Sequence, residues 1–266
     1  MSETVGVIGL GAMGGPMAAN LVRAGFEVAG YDVDPGRAQQ PGVHACTSVS
    51  ELCGRAAVVV SIVRTLPQTE EVVAEVETAA RPRSVLVVMS TISPSAMSAI
   101  AERLRGRQVE VLDAPVSGGV AGAEAGTLAI MAGGSPAVLD RVRPFLDVFG
   151  PNLFHVGERP GDAQAVKLAN QMMLAVNMLG VHEALRLAAS YGMPPERVLP
   201  VVAKGTGASW VGENWETVRG WWEGHPSGGA LDIIYKDLRT ILGDAAERQL
   251  SYPVAALAFN LLREVW

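Results

Sequence analysis

At 266 residues the chain is long enough for more than one hydrophobic core, and its 49% hydrophobic content fits a globular protein. A net charge of −6, with 21 Lys and Arg against 27 Asp and Glu and no basic block, argues against nucleic acid as a partner. Cys46 and Cys53 are too few for a disulfide framework, and neither a secretory leader after "MSE" nor a membrane-length apolar run is present, so a cytoplasmic protein without membrane contact is expected. His44 lies near the cysteines, but no second ligand pair stands at zinc-like spacing, and no metal is expected.

In chain order, apolar β-like runs alternate with helical segments. The runs are "TVGVIGL" (4–10), "FEVAGYD" (26–32), "AAVVVSIV" (56–63), "SVLVVMS" (84–90), "VEVLDAP" (109–115), "TLAIMAGG" (127–134) and "LFHV" (153–156). Several are apolar at successive positions, as in parallel strands covered by helices on both faces. From about Gly161 the β-like runs stop. A long helix-compatible stretch ends at "YGMPP", where Gly192 can take a left-handed cap and Pro194 prevents continuation. A Pro-initiated segment after Met193 and "LDIIYKDLRTILGDAAERQ" follow. The pattern predicts an α/β Rossmann-type domain over 1–160 and an all-helical domain over 161–266, joined by a long helix.

"GLGAMG" places Gly9, Gly11 and Gly14 in G-x-G-x-x-G spacing between a strand and a helix-compatible run that Gly25 closes. Gly9 permits a tight turn, Gly11 close approach of a pyrophosphate to the helix N-terminus, and Gly14 close helix–strand packing. Leu10, Ala12 and Met13 complete that loop. Asp32, at the end of the second strand, can accept hydrogen bonds from the adenosine ribose and repel a 2′-phosphate. NAD is therefore the expected cofactor, with NADP left open by nearby Arg37.

Ser117, Gly118 and Gly119 in "DAPVSGG" directly follow a strand, so they fall at the ligand-binding edge of such a sheet. Their N–H groups and hydroxyl suit a carboxylate. Spacing alone equally allows a plain turn. In "AQAVKLANQMM" a helix brings Lys167 and at least one of the amides Asn170 and Gln171 to one face. Periodicity alone allows a functional lysine or one whose stem lies along apolar surface while its head reaches water.

"VIGLGAMGGPMAANL", "MSTISP", "DAPVSGGVAGAEAGTLAIMAGG", "GDAQAVKLANQ" and "KDL" together resemble, in order and over almost the whole chain, the signature blocks of the β-hydroxyacid dehydrogenase family. The resemblance implies hydride transfer between NAD(P) and the carbonyl carbon of a small oxo acid, in a cleft between the two domains. It places the catalytic lysine on Lys167 and substrate binding on Ser117, Gly118 and Gly119. It also places the nicotinamide neighbour on Thr91, a cofactor-lining pair on Leu66 and Pro67, and the late cleft residues on Lys236, at the cofactor, and Asp237, at the substrate. Lys167 would donate a proton to the carbonyl oxygen in reduction and remove it in oxidation, a role favoured when partial desolvation lowers the pKa of a lysine.

Three positions depart from the family pattern. Ala163 replaces a common glycine. Gln171 stands where an asparagine usually holds substrate, with Asn170 beside it, and Gly229 replaces an aromatic that often walls the pocket. Trp210, Trp215, Trp221 and Trp222 are expected in packing or subunit contacts rather than on substrate. A small-molecule carboxylate substrate and a homodimer or homotetramer are expected. The competing readings are a non-catalytic NAD-binding assembly or sensor protein and an imine-reducing variant; the retained Lys167 argues against both.

Overall fold

The alternating apolar runs become strands of one sheet. A computed structural model describes residues 4–224 and 229–264, which group into two compact units dividing between Lys167 and Leu168. The first unit carries β1 (Thr4–Ile8), α1 (Gly14–Arg23), β2 (Glu27–Tyr31), α2 (Pro35–Ala38), β3 (Val43–Ala45), α3 (Val49–Arg55), β4 (Val58–Ser61) and α4 (Leu66–Ala79). It continues with β5 (Val85–Val88), α5 (Pro94–Arg105), β6 (Glu110–Asp113), β7 (Val116–Ser117), α6 (Gly119–Ala125), β8 (Ala129–Gly133), α7 (Pro136–Phe149) and β9 (Asn152–Gly157). Then α8 (Asp162–Ser190) carries the chain onward to α9 (Pro195–Val202), α10 (Trp210–Glu213), α11 (Trp215–Gly224), α12 (Ala230–Glu247) and α13 (Pro253–Glu264).

The sheet runs β3-β2-β1-β4-β5-β6-β8-β7, with β9 beside β8. From β3 to β6 every pairing is parallel, and Ile8, Ser61, Val88 and Asp113 stand in register at the carboxyl ends. The chain leaves β1 toward β2 on one side and returns to β4 on the other, so a ligand crevice is expected at the carboxyl ends of these two strands. Successive residues serve opposite faces: Val85 and Val87 join a core with Met17, Leu21 and Phe145, whereas Leu86 and Val88 join one with Leu52 and Ile100. Burial on both faces explains why these strands read as continuous apolar runs.

Two strands escaped the sequence pattern. β3 has three residues at the sheet edge and β7 only two, too short for a period to register. The expectation of parallel strands also needs correction at one side, because β8 is antiparallel to both β6 and β7. The short segment between β7 and β8 reverses the chain, and the crossover through α7 returns β9 parallel to β8.

Ser48, Thr65, Ser93 and Ser135 each cap a helix by accepting from a backbone N–H three residues on. Gly192 ends α8 with φ +73°, and the N–H of Met193 reaches Ala188 O, as the "YGMPP" signal predicts. In the second unit, Trp215 and Trp222 pack in one core with Met178, Leu238 and Ile241, their rings 5.4 Å apart. Trp210 stacks on Trp221 and is half exposed. No helix among the described residues is long and apolar enough to cross a membrane.

Candidate functional site

The glycine loop follows β1, and its three glycines do different work. Gly9 has φ +89°, and a methyl group there would lie 2.4 Å from Ile62 O; at Gly14 it would lie 1.8 Å from Gly9 O. Both glycines are demanded by the loop's own packing. At Gly11 the nearest atom is Arg37 Nη1 at 3.5 Å, so the missing side chain leaves open space above the loop. Met13 precedes α1 without a side-chain cap, and Ala12 is exposed at the loop tip. An open cradle over an uncapped helix start fits a dinucleotide pyrophosphate.

Asp32 is nearly buried and organises that loop. Its Oδ2 accepts from Leu10 N at 2.8 Å and its Oδ1 from Asp34 N at 2.9 Å, with Arg37 Nη1 3.8 Å from Oδ1. A carboxylate accepts more than two hydrogen bonds, so ribose hydroxyls can still be bound. Leu66 and Pro67 open α4 behind the capping box of Thr65 and Gln68 and are exposed at its first turn. Ser117 ends β7, and Gly118 and Gly119 follow at φ +132° and +63°. A side chain at Gly119 would meet nothing within 4 Å, so the backbone there is open to a ligand.

A buried polar network that sequence reading missed joins the strand ends. Gln164 accepts from Ile92 N at 3.0 Å through Oε1 and donates through Nε2 to Ser90 O at 3.0 Å and Asp113 Oδ1 at 2.7 Å. Ser90 Oγ accepts from Val63 N at 2.9 Å, tying in the end of β4. Asp113 Oδ2 accepts from Gly161 N at 2.9 Å and Gln164 N at 3.0 Å, satisfying donors at the start of α8. Burial pushes the Asp113 carboxyl up to about 6, against the opposing pull of the donors at Gln164, Gly161 and Ala163. In sequence Ser90, Asp113 and Gln164 carry only a positional signal, lying in "MSTISP", "DAP" and "GDAQ" close to Thr91, Ser117 and Lys167.

Lys167 lies one helical turn after Gln164 and is buried, only 6% exposed. Thr91 lies between Ser90 and Ile92, both held by Gln164. Ala163 is fully buried against Gly133.

In the second unit, Gln171 is buried and donates through Nε2 to Asp237 Oδ2 at 2.7 Å, while Lys236 Nζ meets Asp237 Oδ1 at 2.7 Å. Exposed Asn170 donates to Gln171 Oε1 at 3.3 Å. The longer amide at 171 thus supports a fully buried carboxylate. Gly229 precedes α12 with an extended backbone.

His44, Cys46 and Glu51 bring ligand atoms within 4.8 Å of one another, an approach their spacing did not signal. Glu51 is already engaged there: Thr47 N and Oγ1 donate to it and hold its carboxyl down at about 2, and Arg55 Nε lies 3.4 Å away.

Comparison with known proteins matches residues 4–157 to the NAD-binding domain of 6-phosphogluconate dehydrogenase and 161–265 to the NAD-binding model of NADP-dependent 3-hydroxyisobutyrate dehydrogenase. The chain is 34% identical to 2-(hydroxymethyl)glutarate dehydrogenase of Eubacterium barkeri, across 98% of this chain and 88% of the relative. It is 35% identical to 3-hydroxyisobutyrate dehydrogenase of Pseudomonas aeruginosa, across 97% and 90%. The solved structure of Mycobacterium tuberculosis 3-hydroxyisobutyrate dehydrogenase with L-serine superposes with a TM-score of 0.89 at 31% identity, covering 100% of this chain and 94% of that one.

Proposed function

The chain belongs to the β-hydroxyacid dehydrogenase family of NAD(P)-dependent oxidoreductases, and from that premise we propose that it oxidises a small 2-substituted 3-hydroxypropanoate, with Lys167 as the proton-transfer group. The observation that carries the proposal is a lysine buried on α8 one turn after the fixed Gln164 amide. 3-Hydroxyisobutyrate, 2-(hydroxymethyl)glutarate and L-serine, named with the relatives, share a CH2OH group β to a carboxylate and differ at C2. That shared core defines the proposed substrate class.

The bound dinucleotide supplies the hydride acceptor. As a neutral amine, Lys167 takes the hydroxyl proton while the carbinol C–H bond breaks; as an ammonium it returns that proton in the reducing direction. Ser117 Oγ and the N–H groups of Gly118 and Gly119 bind the substrate carboxylate. Asn170, Gln171 and Asp237 are assigned to substrate, and Leu66, Pro67, Thr91 and Lys236 to the cofactor. Gly9 to Gly14 hold the pyrophosphate. Asp32 favours NAD by accepting from the ribose and repelling a 2′-phosphate.

Lys167→Met removes the titrating group at similar length. Turnover of the three acids, followed by nicotinamide absorbance with NAD and with NADP, should fall about 10²–10⁴-fold while NAD binding persists. Near-wild-type turnover in the folded variant would remove Lys167 from the mechanism, and a wild-type preference for NADP would overturn the role given to Asp32.

A further inference from the structure

Gln164 is fully buried and every polar atom of its amide is engaged. Its orientation is dictated by backbone: Ile92 N–H requires the oxygen on one side, and Ser90 C=O requires the nitrogen on the other. The second amide hydrogen then points at Asp113 Oδ1, while Asp113 Oδ2 gathers the N–H groups of Gly161 and Gln164 at the start of α8. One amide therefore grips the backbone on both sides of Thr91, and through Asp113 it fixes the carboxyl end of β6, four residues before Ser117. The same residue belongs to the α8 turn that presents Lys167.

We propose that Gln164 is a positioning residue for hydride transfer, holding the Lys167 turn of α8 in register with the Thr91 backbone through its paired hydrogen bonds to Ser90 and Ile92. The inference rests on the reading of Lys167 as the proton-transfer group. Gln164 touches neither substrate nor cofactor in this account; it sets the distance between groups that do. Displacements of about 1 Å in such an arrangement cost about 10²-fold in rate without abolishing binding.

Gln164→Met keeps length and burial and removes all three side-chain hydrogen bonds. Stoichiometric titration with NADH, read by fluorescence, counts the sites that still bind cofactor. Hydrogen exchange at Ile92, whose N–H loses its acceptor, reports the local release independently of activity. The inference expects faster exchange at Ile92 and turnover of 3-hydroxyisobutyrate or L-serine per NADH-binding site at least fivefold below wild type, with KM for that acid within threefold. A smaller loss per site, or a fall only in the number of binding sites, overturns it. Should Gln164→Met not fold, Gln164→Glu retains shape and the acceptor for Ile92 while losing the donors to Ser90 and Asp113, and the same threshold applies. Failure of both variants to fold assigns Gln164 to stability alone and also overturns the inference. Lys167→Met measured alongside separates the two readings: if it is inactive and Gln164→Met is wild type, only the positioning role falls, whereas full activity in Lys167→Met removes the mechanism on which that role rests.

Discussion

Asp113 illustrates how a single buried group can be pulled in two directions. Gly161 N, Gln164 N and Gln164 Nε2 all donate to its carboxyl oxygens, and such donors favour the carboxylate. Complete burial favours the neutral acid and prevails, raising the pKa from 3.8 to about 6. A folded-state value above the unfolded one means that the native state holds this proton more tightly. The contribution is therefore fully present below about pH 3.8 and lost as the pH rises through about 6. The size is about 3 kcal/mol, at 1.36 kcal/mol for each pH unit of displacement. Urea unfolding of wild type and Asp113→Asn should show their stability difference shifting by about that amount against wild type between pH 4 and 7. A difference that stays flat, or shifts in favour of wild type, would mean that the donors outweigh burial. None of this was legible in "DAP", because a sequence gives the type of a carboxylate but not the donors that distant segments bring to it. Lys167 and Gln171 were legible as chemistry on one helix, while the engagement of Gln171 with Asp237 needed the fold.

At the scale of elements, the glycine loop separates residues that its own packing demands from one, Gly11, that the packing leaves free. Gly14→Ala would place a methyl group 1.8 Å from Gly9 O, so the loop must shift and α1 must lose its seat on β1. Gly11→Ala meets only Arg37 Nη1, at 3.5 Å, an ordinary approach. Thermal unfolding of Gly11→Ala should therefore stay close to wild type while NADH binding, read by fluorescence, weakens at least tenfold. Gly14→Ala should lose stability and binding together. Equal destabilisation by both substitutions would show that Gly11 is also there for packing. The G-x-G-x-x-G spacing identified the loop, but only the backbone path distinguishes these roles. The long parallel strands announced themselves through unbroken Val and Leu runs, whereas β3, with one neighbour and three residues, has too little buried surface to impose a pattern on sequence.

At the scale of the whole molecule, the change from alternating runs to helix-only sequence near residue 160 signalled a second part of the chain, and the compact units divide between Lys167 and Leu168. The arrangement of tryptophans was less legible, since composition cannot tell a core ring from an exposed one: Trp215 and Trp222 are buried, while Trp210 is 53% exposed. The second unit also leaves Met173, Leu187, Tyr191, Val201 and Leu257 more than half exposed. Where exposed apolar side chains join into one patch they supply a subunit contact, and most homo-oligomers close with cyclic or dihedral symmetry. The proposed assembly is a homodimer or homotetramer held through this unit. Sedimentation at micromolar concentration should show no dominant monomer. Leu187→Glu and Leu257→Glu, each adding a charge that is costly to bury but harmless in water, should shift the population toward monomer in at least one case while leaving each chain folded. A wild-type chain that sediments as a fully active monomer would remove the assembly and leave these side chains as scattered surface.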